Sequence, residues 1–247
     1  MPRPVLTEAH GPTLLLRMSH GKVNALDLEL LVAVREAFEA APEAVIVLTG
    51  NQRAFSAGLD LRALLDAPLE YSGALLQELS STCVAIFNHP RPVIAAVDGA
   101  AIAGGAMLAL ATDVRIMSHG VIGLPELRVG VPIPGTLMEL ARHVLGNQLS
   151  AHLLRGQAVE PGDALAIGMI DEVVEPEQLL ERAMAVADEL GSVPTQTFAL
   201  TKRAAHALAD ERISEIPAAS EQATAQAWQS DAVRTAIAAQ VERMARR

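Results

Sequence analysis

The first apolar run, Leu14-Leu15-Leu16, follows the turn residues His10-Gly11-Pro12, and the pattern predicts short strands over 5–10 and 13–18. Asn24 to Asp27 then lead into a helix on which Leu30, Leu31, Val34 and Phe38 share a face, with Pro42 just past its end. The run Ala44-Val45-Ile46-Val47-Leu48-Thr49-Gly50 predicts a buried strand, so the first fifty residues read β-β-α-β. The pattern recurs. Residues 71–88 read as a helix with Tyr71, Leu75, Leu79 and Ile86 on one side, broken by Asn88-His89-Pro90-Arg91-Pro92. A strand follows at Val93-Ile94-Ala95-Ala96-Val97, then a helix over 105–111 and a strand at Val114-Arg115-Ile116-Met117. Short apolar strands alternating with helices predict an α/β fold with parallel pairing.

From about residue 136 the pattern changes. The spans 136–145, 148–154, 177–190, 196–209 and 218–245 read as helical, with Ile170-Asp171-Glu172-Val173-Val174 the one strand-like exception. Val233, Ile237, Val241 and Met244 form a narrow apolar stripe near the end, and Ser230 is a plausible cap for that helix. Such a stripe packs on the core or faces another subunit. No repeat or linker divides the chain.

Composition supports a large core: 51% of the 247 residues are hydrophobic and 19% charged, with only 2% aromatic. The net charge of −10 argues against a nucleic-acid surface. The basic tail Arg243-Met244-Ala245-Arg246-Arg247 reads as a solvated helix end. The single cysteine, Cys83, excludes an internal disulfide and a multi-cysteine metal site, and its apolar neighbours predict an inert core thiol. The histidines, His119, His143 and His152 among them, show no metal-ligand spacing and read as surface or capped residues, so no metal is expected. Neither a signal pattern nor a membrane-length apolar run is present, and the expectation is a soluble cytoplasmic protein without membrane contact.

Two glycine-rich segments each sit between a strand and a helix: Ala54-Phe55-Ser56-Ala57-Gly58-Leu59-Asp60-Leu61 and Asp98-Gly99-Ala100-Ala101-Ile102-Ala103-Gly104-Gly105. Ligands gather at the carboxyl ends of strands in open α/β sheets, where helix N-termini offer free N–H groups. Glycine lets backbone approach a ligand, and two converging N–H groups make an oxyanion hole. Neither segment matches a dinucleotide or P-loop fingerprint, and each alone could be an ordinary tight connection. A third segment, Ile122-Gly123-Leu124-Pro125-Glu126-Leu127-Arg128-Val129-Gly130, places one carboxylate among apolar residues. Desolvation there would raise its pKa and suit proton abstraction, unless Glu126 pairs with a cation such as Arg128. Ser56 is not in a nucleophile elbow, which argues against a hydrolase.

The three segments, in this order, resemble the crotonase superfamily (enoyl-CoA hydratase/isomerase). The resemblance begins at Val23-Asn24-Ala25-Leu26, continues through Gly168-Met169-Ile170-Asp171-Glu172-Val173-Val174 and ends at Leu200-Thr201-Lys202. It implies a crotonase-like ββα spiral core over 1–190 and a C-terminal helical trimerisation region over 191–247, assembled as a homotrimer or dimer of trimers. It implies an acyl-coenzyme A thioester as substrate, with no separate cofactor. The thioester carbonyl would be held by the backbone N–H groups of Leu59 and Gly104, with Ala103 standing where many members have glycine. Coenzyme A would lie along Lys22, Asn24 and Ala25 and along Ala57, Gly58, Asp60 and Leu61, with Gly105, Met107 and Pro125 beside the acyl group. Residues 62–78 and 131–134 would wall the acyl pocket.

Hydratases of the family use two glutamates. Of these, the resemblance maps one onto Glu126 and the other onto Met107, which cannot take up a proton. The sequence therefore looks most like the single-glutamate Δ3,Δ2-enoyl-CoA isomerases, with Glu126 as the base. The alternatives are a hydratase with Glu139 as a second acid, or a non-catalytic acyl-CoA binder. Asp113 is expected to cap or to pair with Arg115 instead of acting in catalysis.

Overall fold

The computed structural model describes residues 3–246. Its main sheet has six strands in the order β1 (Val5–His10), β2 (Thr13–Met18), β3 (Val45–Thr49), β5 (Val93–Val97), β7 (Val114–Met117) and β10 (Glu172–Val173). β1 pairs antiparallel with β2, and every later pairing is parallel. A second sheet stacks the short strands β4 (Ala54–Ser56), β6 (Ala100–Ile102), β8 (Ile122–Gly123) and β9 (Ala158–Val159). The first three of these each follow a strand of the main sheet, which makes the repeating layers of the spiral. Strands of two or three residues are too short to show a period, and this second sheet is absent from the sequence reading.

Both faces of the main sheet are covered, which explains its unbroken apolar runs. Ile46 and Leu48 of β3 and Val93, Ala95 and Val97 of β5 belong to the larger core cluster. That cluster includes Leu30, Leu31, Val34 and Phe38 of α1 (Leu28–Glu39) and Leu75, Leu79 and Ile86 of α3 (Glu70–Phe87). The alternate residues Val45, Val47, Ile94 and Ala96 meet Leu179, Ala183 and Val186 of α9 (Leu179–Gly191). Cys83 is fully buried on α3, and burial pushes its thiol pKa far up.

Between these lie α2 (Leu61–Asp66), α4 (Gly104–Leu110), α5 (Glu126–Val129), α6 (Gly135–Leu145), α7 (Gln148–Arg155) and α8 (Pro161–Ala166). The chain ends in α10 (Thr195–Ser214), α11 (Ala218–Gln229) and α12 (Asp231–Ala245). α10 packs on α6, α11 on α3 and α12 on α2. The span 218–245 is thus two helices. Ser230 divides them, and its hydroxyl accepts the Val233 N–H at 3.3 Å. Of the terminal stripe, Ile237 is fully buried while Met244 stays half exposed. Arg243 and Arg246 end α12 in solvent, whereas Arg247 lies outside the described residues.

Two expectations about charged and polar groups need correcting. Asp113 does not pair with Arg115: its Oδ2 accepts Lys202 Nζ at 2.9 Å and the Val93 N–H at 2.8 Å, while Arg115 pairs with Asp171 at 2.7 Å. α10 carries Lys202 over the start of β5, and that geometry selects the partner. His152 is not a surface residue but is buried on α7, with its Nε2 lacking a partner among the described residues. His119 does lie at the surface, 3.2 Å from Asp98. No helix among the described residues is long and apolar enough to cross a membrane.

Candidate functional site

The two glycine-rich segments run side by side. β4 pairs with β6, and the peptide at Gly58 is tied to the segment before α1 by Leu26 N–H to Gly58 O at 2.8 Å and Asp60 N–H to Leu26 O at 2.9 Å. Gly58 has φ +85°, and a Cβ there would lie 2.7 Å from Ile102 O, so only glycine lets the first segment lie against the second. Gly105 serves the same approach from the other side: a Cβ on it would lie 2.5 Å from Ser56 O. The Asp60 carboxylate accepts the Arg62 and Ala63 N–H groups at 3.0 Å and starts α2 immediately after Leu59.

This arrangement leaves the Leu59 N–H and the Gly104 N–H without a protein acceptor among the described residues. Leu59 follows the tight glycine, and Gly104 opens α4, where the first N–H groups have no partner within the helix. Both residues line one cavity of about 260 Å³. An N–H pair of this kind can receive a carbonyl oxygen that gains negative charge.

Ala103, just before the second donor, is held at φ +53° and ψ −119°, a conformation that L side chains rarely adopt. Its N–H donates to Gly123 O at 2.9 Å, and its carbonyl accepts the Met107 N–H at 3.0 Å, so neighbours on both sides fix it. Strain of about 1–3 kcal/mol outweighs the roughly 0.5–1 kcal/mol entropic cost of glycine. We therefore expect Ala103→Gly to raise unfolding free energy by about 1 kcal/mol in a urea titration. A loss of that size would mean the backbone is not strained there.

Glu126 sits at the first position of α5, facing the same cavity. It is 8% exposed, and its Oε2 has no hydrogen-bond partner among the described residues. The cation weighed as its partner, Arg128, instead donates from Nε to Arg155 O. Burial therefore pushes the Glu126 carboxyl pKa up to about 7. Among the described residues it is the only carboxylate on the cavity wall, and Met107, 1% exposed, lines the same space. Glu139 is not on the wall: its carboxylate pairs with Arg142 at 3.1 Å and with Arg212 at 3.7 Å.

The other sequence candidates divide clearly. Ala57, Leu59, Leu61, Gly104, Met107, Pro125 and Glu126 line the cavity. Lys22, Asn24, Ala25, Gly58, Asp60 and Gly105 do not. Lys22 is exposed and Ala25 half-buried, on the segment that joins β2 to α1. Asn24 is fully buried at φ +48°, its amide donating to Ala54 O and Phe55 O at 3.1 Å and accepting the His20 N–H at 2.9 Å. That side chain pins the first segment in place and has no group left for a ligand. Ser56 is similarly committed, donating to Asn24 O at 2.7 Å and accepting the Gly58 N–H at 3.2 Å. Three metal-ligand side chains, His20, Asp27 and Glu29, gather at the start of α1, where Asp27 already caps the helix and meets His20 at 2.7 Å.

The sequence reading missed much of the cavity wall. Besides the expected Leu76 and residues 131–134, Leu79 of α3, Leu137 of α6, Trp228 of α11 and Gln240 of α12 all reach it. Trp228 is 3% exposed, and its indole N–H donates to Pro132 O at 2.9 Å. A lone tryptophan in an alanine-rich helix was the available signal.

The family model described as enoyl-CoA hydratase/isomerase matches residues 13–246. The chain belongs to that family. Within the enoyl-CoA hydratase/isomerase family, a putative enoyl-CoA hydratase of Thermus thermophilus is 34% identical over 189 residues, covering 72% of this chain and 74% of that protein. The mitochondrial enoyl-CoA delta isomerase 1 of Mus musculus is 27% identical over 209 residues, covering 80% of this chain and 72% of that one. The crystal structure of human mitochondrial Δ3,Δ2-enoyl-CoA isomerase superposes with a TM-score of 0.92 at 24% identity, covering 98% of each chain. The expected crotonase fold, with its C-terminal helices, is therefore the fold of this chain.

Proposed function

We propose that this family member is a Δ3,Δ2-enoyl-CoA isomerase in which Glu126 is the single base. The observation that carries this reading is the cavity wall, where one desolvated carboxylate shares the space with two free N–H groups and with Met107, the position onto which the resemblance maps the second acid. The thioester oxygen accepts from Leu59 N–H and Gly104 N–H. Ionised Glu126 removes a proton from C2 of the 3-enoyl thioester, and the electron pair shifts onto that oxygen as a dienolate. The protonated carboxyl returns the proton at C4, leaving the double bond between C2 and C3. One group carries the proton both ways, so its pKa near neutrality suits both steps.

Hydration asks for more, because water must be activated at C3 while a proton arrives at C2. Met107 offers no lone pair basic enough to activate water and makes its side of the cavity apolar. Relatives named for each reaction lie at similar similarity, so the wall favours isomerisation more strongly than kinship does. On this reading the coenzyme A moiety would lie along the first segment, by Lys22, Ala25 and Ala57, and the expected assembly is a homotrimer or a dimer of trimers.

The test supplies a 3-enoyl-CoA and a 2-enoyl-CoA separately. We expect rapid conversion of the first and little hydration of the second; the reverse pattern would overturn the reading. Because the base must be ionised, kcat/KM should rise tenfold per pH unit below about 7 and level off above it. A profile flat between pH 5 and 8 would remove Glu126 from the role.

A further inference from the structure

The acyl cavity shares a wall with a second, larger space. That neighbour is a cleft of about 560 Å³ between α3 and α11, lined by Ser80, Ser81, Thr136 and Glu221 among others. Leu76 and Pro134 line both spaces. Around them the two helices come close, since a Cβ added at Gly73 would lie 3.8 Å from Ala225 Cβ. The cleft is also braced from α11: Glu221 Oε1 accepts the Thr136 N–H at 2.9 Å and its hydroxyl at 3.0 Å.

We propose that Leu76 and Pro134 form a partition that sets the acyl chain length, limiting the substrate to an apolar chain of about ten carbons. This rests on the acyl-CoA reading of the cavity. A dry cavity of about 150 Å³ accommodates the six carbons of benzene, so the space here scales to about ten. The wall specifies the chemistry of the chain as well. Among the described residues it carries no side-chain hydroxyl and no cation. Its indole N–H is bonded to Pro132 O, and Gln240 Oε1 accepts from Arg243 at 2.8 Å. A hydroxyl or carboxylate on the chain would be buried against a mostly apolar wall, where Glu126 and the Gln240 amide are the polar side-chain groups left among the described residues. Leu76 and Pro134 stand between the acyl cavity and the second cleft, whose wall includes Ala218 and Ala225, so further methylenes reach that space only when the partition is removed.

The experiment measures Kd for saturated acyl-CoAs of four to sixteen carbons, which bind without reacting. In the wild type, affinity should tighten roughly tenfold for each two methylenes buried up to about ten carbons, then stop improving. Leu76→Ala joins the two spaces and should move that break to about fourteen carbons. Leu76→Val, a milder change for a buried position, should move it in the same direction by about two. Affinity that tightens steadily to sixteen carbons in the wild type overturns the proposal. So does a break that stays at the same length in whichever of the two variants folds. Because binding alone is read, an intact break without enoyl turnover would leave the partition standing and remove only the isomerase reading.

Discussion

Glu126→Gln should lower kcat on a 3-enoyl-CoA by about 10²–10⁴-fold, the usual contribution of a positioned base. Glutamine keeps the volume and polarity of the side chain but cannot take the C2 proton. The cavity wall and both N–H donors stay in place, so acyl-CoA affinity should change by less than about threefold. Activity within tenfold of the wild type would mean that the base has been misassigned. The same variant gives an independent check on the burial. The folded-state pKa of Glu126 lies above its ordinary value of 4.5, at about 7. The folded protein therefore holds a proton that the unfolded chain releases, and stability falls as pH rises from about 4.5 to 7. Glutamine has no such penalty. Relative to the wild type, the variant should gain stability at pH 8 compared with pH 5, by up to about 3 kcal/mol at 1.36 kcal/mol per tenfold change. An identical difference at both pH values would mean that the carboxyl is hydrated.

Lys202→Met should destabilise the fold by about 3–5 kcal/mol, the cost of leaving one member of a buried ion pair alone. The Lys202 and Asp113 side chains are only 7% and 13% exposed, and they join α10 to the loop before β7. Methionine fills the space of the lysine stem but leaves the Asp113 carboxylate without its cation. For a chain of this size the melting temperature should drop by roughly 6–20 °C. Replacing both partners, with Asp113→Leu added, should restore most of that loss. Full recovery is not expected, because Asp113 also accepts the Val93 N–H, and that donor would be left buried. A single variant as stable as the wild type would show that α10 is held by its apolar contacts alone.

Legibility in the sequence followed period and length. β3 and β5 carry five consecutive buried residues each, and α1 repeats its apolar positions at helical spacing, so all three could be read directly. The strands of the second sheet span two or three residues and leave no such trace. At the site, motif order located Leu59, Gly104, Met107 and Glu126, because local backbone geometry places them. Motif order could not separate residues that line the cavity from those that shape it. Gly58, Asp60, Gly105 and Asn24 sit within the same motifs, yet they act by close approach, capping and buried hydrogen bonds. Leu79, Leu137 and Trp228 come from helices far apart in the chain and meet only through tertiary packing. The partner of Asp113 was missed for the same reason, since Lys202 lies 89 residues away.

The central claim is that one carboxylate carries one proton from C2 to C4. It is tested most directly with a 3-enoyl-CoA bearing deuterium at both C2 positions, turned over in ordinary water. A desolvated Glu126 acting alone should deliver deuterium from C2 to C4, giving a 2-enoyl product with label at both carbons. A 3-hydroxyacyl product, or a 2-enoyl product with no deuterium at C4, would contradict it.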